Sequence, residues 1–188
     1  MAVETVDRAA AVRRALRALV AARGFHGASM SAVAAEAGVA TGTAYTHYAS
    51  KDDLVIAAYL ETKAELGAAA TAGLPEGGDI ADMFRALWLN AYRHLAERPD
   101  HALFLLQVDA SPYRAKGHEI AMEGDDPLIA VAGVREVAEL LLPLPLEVIY
   151  ELGLAPAVRL AAGGEDLSDE QLAAIADACW RAISRPDH

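Results

Sequence analysis

The chain has one cysteine, Cys179, and only three phenylalanines and two tryptophans among 188 residues. A lone cysteine excludes an internal disulfide framework and suits a reducing compartment, so a cytoplasmic setting is expected. The densest apolar stretch, residues 140–146, is broken by Pro143 and Pro145. It falls far short of the ~20 residues a membrane-spanning helix needs, and no signal peptide is recognisable, so no membrane partner is expected. Runs of β-branched and aromatic residues with period-2 alternation are missing. Catalytic signatures are missing too: there is no Gly-x-Ser-x-Gly elbow, no His-Glu-x-x-His and no phosphate-cradling glycine loop. No catalytic residue, cofactor or metal site is expected. His94, His101 and His118, with Asp100, Asp109 and Glu119, can be imagined as ligands, but neighbours such as His118 and Glu119 do not face one way on a helix.

Basic charge is also scarce. Sixteen Lys and Arg face 27 Asp and Glu, for a net charge of -11. The deficit is uneven, since residues 1–54 hold six basic and five acidic side chains and the remainder ten and 22. Screening over about 8–10 Å hides distant acids from a local surface, so the first third of the chain remains able to meet a polyanion.

What is present is helix-forming sequence. Hydrophobic residues make up 54% of the chain, much of it alanine, which has the highest helix propensity. A first helix over 6–23 carries Val12, Leu16, Leu19 and Val20 on one stripe, with Arg13, Arg14 and Arg17 off it as a solvated face. Gly24 sits where a left-handed cap is needed. Ser29 caps a short helix over 30–37, which Gly38 ends, and another spans 41–48. Ser50 caps a long helix reaching about residue 71. Further helices are expected over 79–98, 100–111, 127–142, 146–163 and 169–184, with a polar stretch at 113–126. The fold class is therefore all-α.

The informative segment is 29–54. Two short helices joined by a tight turn need a small residue at their crossing and a glycine at the reversal, and Ala34 and Gly38 meet those demands. This is helix-turn-helix chemistry, in which the second helix enters the major groove. That helix reads Thr41-Gly42-Thr43-Ala44-Tyr45-Thr46-His47-Tyr48, rich in short hydroxyls, a phenol and an imidazole able to bond phosphates or base edges. Gly42 permits close backbone approach, and Lys51 opens the next helix as a point charge. Tyr48 reads as a core aromatic.

Over residues 13–54 the chain resembles the TetR family of bacterial regulators. The resemblance rests on Gly24-Phe25, Ser29-Met30, Val33-Ala34, Ala37-Gly38-Val39, Gly42-Thr43, Tyr45, His47-Tyr48 and Ser50-Lys51-Asp52-Asp53-Leu54. It implies an N-terminal three-helix helix-turn-helix DNA-binding domain, residues 1–54, and a C-terminal helical bundle, residues 55–188, for ligand binding and dimerisation. It implies a homodimer on a palindromic double-stranded DNA operator, acting as a repressor released by a small molecule. Thr41 and Thr46 are implied base-edge readers. Gly42, Thr43, Tyr45, His47 and Lys51 are implied phosphate or mixed contacts, with Ser31 joining from the preceding helix. Ala40 departs from the usual Ser or Thr cap, at a cost of about 0.5–2 kcal/mol. That departure and the nearly neutral head leave open a ligand-binding protein without specific DNA recognition.

In the C-terminal part, Trp88, Tyr92, Phe104, Gln107, Tyr113, His118 and Met122 are the expected lining of a pocket between helices. The mean hydropathy of +0.20 suits a fairly apolar effector. The last two helices are expected to pair with a second copy, with Cys179 a buried small residue.

Overall fold

The computed structural model describes residues 7–75, 77–124 and 126–186, the side chain of Met122 excepted. Among them there is no strand, and the helices follow from local capping chemistry. Asp7 accepts from the amides of Ala9 and Ala10 to start α1 (Arg8–Arg23), and Gly24, at φ 67°, closes it. After a short 3-10 turn at Phe25–Gly27, the Ser29 side chain caps α2 (Met30–Glu36). The turn to α3 (Thr41–His47) is a Schellman motif: Gly38 N–H donates to Ala35 and Val39 N–H to Ala34, with Gly38 at φ 68°.

Ser50 caps α4 (Lys51–Thr71), a long helix that buries Leu54, Val55, Ile56, Ala58, Tyr59, Thr62, Leu66, Gly67 and Ala70. Burial on so many faces marks it as the central helix, and α1, α5 (Ile80–Ala96), α7 (Tyr113–Glu123) and α8 (Pro127–Ala132) pack around it. The expected domain limit after residue 54 falls inside this unbroken helix. Two glycines set how closely its neighbours approach. A Cβ at Gly117 would lie 3.0 Å from the Tyr59 ring, and one at Gly67 would lie 3.0 Å from Pro127.

α6 (Pro99–Asp109) packs on α1, and α12 (Asp169–Ile183), started by the Ser168–Gln171 capping box, packs on α5. Two expected helices are each split. The 127–142 segment forms α8 and α9 (Arg135–Leu140), separated at Gly133 and Val134. The 146–163 segment forms α10 (Leu146–Gly153) and α11 (Ala155–Gly163), because Pro156 has no N–H to continue the ladder. The polar stretch at 113–126, where a short helix is admissible, holds the eleven-residue α7. A single antiparallel bridge, Leu141 with Ser184, fastens the end of α9 to the end of α12. Among the described residues, no helix is long and apolar enough to cross a membrane.

Arg13 and Arg17 are not a solvated face. Both guanidiniums donate to Glu61 on α4, Arg13 through Nε at 2.8 Å and Nη2 at 2.6 Å. Arg17 is only 5% exposed. Arg13 also donates to the Tyr48 hydroxyl, which in turn donates to the Ala9 carbonyl, so Tyr48 is a core residue with a satisfied polar tip. Burial alone lifts the Glu61 carboxyl, but the bonds from the two arginines outweigh it and hold the group below its usual range.

Candidate nucleic-acid interface and effector cavity

The face of α3 is open. Thr41, Gly42, Tyr45, Thr46 and His47 are exposed, Thr43 is half-buried, and Ala44 points into the core. Tyr45 is 52% exposed, an aromatic ring with no core to fill. A Cβ at Gly42 would meet nothing within 4 Å, so another backbone can approach there. Ala40 provides no side-chain cap. Thr46 Oγ1 donates back to the Gly42 carbonyl at 2.9 Å, which commits its proton and leaves its lone pairs and methyl group facing outward. In that rotamer it suits an amino group on adenine or cytosine, or the thymine methyl.

Ser31 is exposed on α2, its hydroxyl 3.1 Å from that of Ser29. Lys51 differs from a free point charge: its ammonium donates to the Phe25 carbonyl and sits 6.0 Å from the Phe25 ring. One of its three protons holds the turn after α1, and two remain for a phosphate. Arg8, which gives no signal in the sequence, lines a shallow cleft with Gly38, Val39, Ala40 and Thr43. Only the return of α1 to the start of α3 brings this cation to the recognition face.

The C-terminal part, with α4, lines a half-open cavity of about 160 Å³. That is on the order of the engineered apolar void that accepts benzene. Its apolar wall comes from Leu128, Ile129, Val131 and Ala132 on α8, Val137 on α9, Leu146 and Ile149 on α10, and Trp180 and Ile183 on α12. One end is polar, with Tyr59 and Lys63 from α4, His118 from α7, Asp126 and Tyr150. The Lys63 ammonium lies 3.5 Å from Asp126 and 5.0 Å from the Tyr150 ring centre. The Tyr59 and His118 rings stack at 6.3 Å, and His118 Nε2 is 3.8 Å from Asp109. Burial pushes the Tyr59 and Tyr150 phenols up, with the Asp109 charge adding to both, so both stay protonated. Burial also raises the Asp109 carboxyl, against the pull of His118 and Arg114.

Among the residues expected to line this space, His118 does so. Trp88 is fully buried, stacks on Tyr92 at 6.0 Å and donates its indole N–H to the Gly153 carbonyl at 3.1 Å. The Gly153 carbonyl lies at the break between α10 and α11, so the indole N–H meets an acceptor that the interrupted helix leaves over. Phe104 is plain core, and Gln107 is exposed on α6 near Gly24. Tyr113 packs on Phe25 at 5.0 Å and donates to Asp52, at the seam with the N-terminal helices. These five are corrected: helical spacing finds buried aromatics but does not separate core from cavity. The side chain of Met122 lies outside the described residues. Tyr59, Lys63, Tyr150 and Trp180 were missed, since apolar and aromatic residues on α4, α10 and α12 read as packing. The structure also brings His94 and His101 beside Glu65, and leaves His118 apart with Asp109.

Comparison with known proteins agrees with this geometry. Residues 12–58 match the profile described as bacterial regulatory proteins, tetR family, and residues 80–184 match the tetracyclin repressor-like C-terminal domain. The chain belongs to the TetR family. A Haemophilus influenzae protein described as an uncharacterised HTH-type transcriptional regulator is 27% identical over 184 residues, 95% of this chain and 97% of that protein. A TetR family transcription regulator from Shewanella sp. PV-4 superposes with a TM-score of 0.80 at 26% identity, covering 95% and 98% of the two chains. A TetR family protein from Vibrio parahaemolyticus does so at 0.73 and 28%, covering 95% and 100%. As a TetR-family protein the chain is a DNA-binding transcriptional regulator, not an enzyme.

Proposed function

We propose that this TetR-family regulator is a cytoplasmic homodimeric repressor that leaves a palindromic operator when a small, largely apolar effector enters the cavity. The observation that carries the reading is the continuity of α4. Its first turn holds Lys51 and Asp52 beside the recognition helix, and Tyr59 and Lys63 farther along form the polar end of the cavity. A ligand that moves α4 moves both ends of one rigid rod, so binding energy in the cavity reaches the DNA-contacting face.

The same reading assigns Ser31, Thr41, Gly42, Thr43, Tyr45, Thr46, His47 and Lys51 to the DNA contact, with Arg8 added by its position. Val148 and Leu152, exposed one turn apart on α10, and Ala174, Ala178 and Ala182, exposed at helical spacing on α12, supply the apolar strip for a second copy. An electrophoretic shift assay with the DNA upstream of the protein's own gene tests it. A complex that resists non-specific competitor and weakens steeply with salt is expected. Binding at the level of random DNA would remove the repressor reading.

A further inference from the structure

Glu65 on α4, His94 on α5 and His101 on α6 converge where the three helices meet. One donor atom from each lies within 4.8 Å of the other two. His101 is only 7% exposed, and its Nδ1 is buried without a hydrogen-bond partner among the described residues. His94 Nε2 is likewise buried and unpartnered. His101 Nδ1 sits 3.4 Å from Glu65 Oε2, too poorly aligned for a hydrogen bond. Two unsatisfied imidazole nitrogens beside a carboxylate are costly unless they gain a partner.

We infer that Glu65, His94 and His101 form a binding site for a divalent transition-metal ion such as Zn²⁺ or Co²⁺, separate from the apolar cavity. The donor set is two nitrogens and one oxygen, which suits these borderline ions and not Mg²⁺ or Ca²⁺, which prefer all-oxygen shells. Bonds of about 2.0–2.2 Å place tetrahedral ligand atoms about 3.4 Å apart, so closure needs shifts on the order of an ångström. Glu65, with 41% of its side chain exposed, is free to make one. Water completes the shell.

Two cations bear on the site. Arg98 Nη1 lies 3.4 Å from His94 Nδ1, and a metal on Nε2 requires that nitrogen to carry the proton, so Arg98 must swing away. Its side chain is 46% exposed and can do so. Arg17 is held by Glu61, one turn before Glu65 on α4. A divalent charge beside Arg17 therefore weakens the tie between α1 and α4, which connects the site to the DNA-binding helices.

The test is titration of the chelator-treated full chain with Co²⁺, read by its visible d–d absorption, and with Zn²⁺ by competition. One equivalent per chain with a tetrahedral-type Co²⁺ spectrum is expected. Glu65→Gln and His94→Gln should each weaken uptake by more than about tenfold, since even changing a partner of a ligand costs about that much, and Arg98→Gln should tighten it. Glu65 is half-exposed, so Glu65→Gln keeps the fold, which circular dichroism checks. Absence of uptake in the unaltered chain overturns the inference. Uptake unchanged in both Glu65→Gln and His94→Gln overturns it as well, because the ion then sits elsewhere.

Discussion

The phenol of Tyr113 donates a 2.8 Å hydrogen bond to Asp52, which joins the start of α7 to the first turn of α4. The same tyrosine ring leans on Phe25, whose carbonyl is held by Lys51. Because α7 also carries His118 into the cavity, this contact would give the proposed effector release a second path, beside α4 itself, to the recognition helix. Burial and the bond to Asp52 push the Tyr113 phenol up to about 12, so the donor keeps its proton across the physiological range. Removing the hydroxyl with Tyr113→Phe should cost about 1.5–3 kcal/mol at most, the worth of a hydrogen bond to a charged group, and leave the fold intact. Operator affinity without effector should change little, while the effector concentration needed for release should rise. A binding titration with and without effector checks this, and equal release by both proteins would remove Tyr113 from the coupling.

Arg8 and Thr46 would make two different kinds of DNA contact on the proposed reading. Arg8→Ala removes a cation beside the start of α3. Affinity should then fall alike for operator and random DNA, and the slope of log K against log salt should flatten by about one. Thr46→Ala also removes the back-bond to Gly42 and should instead reduce discrimination at one base pair, by about 1–3 kcal/mol. Salt titrations on the operator and on single-base variants distinguish the two.

The Glu61 cluster gives a pH prediction. Its carboxyl is lowered in the folded chain, with the two arginine bonds overcoming burial. A lowered carboxyl contributes stability that is present above the unfolded value of about 4.3 and lost as pH falls through the folded one. Glu61→Gln should therefore destabilise the chain by about 3 kcal/mol at pH 7, since a neutral amide with a single acceptor oxygen replaces the carboxylate that Arg13 and the buried Arg17 share. The gap between variant and parent should narrow below about pH 4. Urea unfolding at several pH values measures it.

Local chemistry was legible and distant pairing was not. Ser29, Ser50, Asp79 and the Ser168–Gln171 box each mark a helix start, because a cap is made with amides two or three residues away. Gly38 and the exposed residues of α3 follow from the same local logic. Pro156 falls inside the segment expected as one helix over 146–163, but it sits in the first turn of a new one, α11. The cavity depends on which faces of α4, α8, α10 and α12 fail to fill the space between them, and no residue type encodes that. Trp88 and Trp180 show the difficulty, since one is pure core and the other lines the cavity. Arg17 with Glu61, and Glu65 with His94 and His101, are separated along the chain by helices whose packing alone unites them.

Filling the cavity tests its role directly. Ala121 on α7 borders it, one turn after His118, and Leu128 and Ile149 are among its apolar lining. Ala121→Phe places a ring of roughly benzene size into a void of about 160 Å³. Burying that much apolar area contributes about 1.5–3 kcal/mol, set against any strain from imperfect fit, which runs about 1–3 kcal/mol. Thermal stability should therefore stay near that of the parent chain or rise slightly. Operator binding should persist, because α3 and the Arg13–Glu61 tie are untouched. Effector-induced release should be lost, since the space the ligand needs is already occupied. A reporter driven from the operator should then remain repressed at every effector concentration, whereas normal induction in the variant would place the effector site elsewhere in the chain.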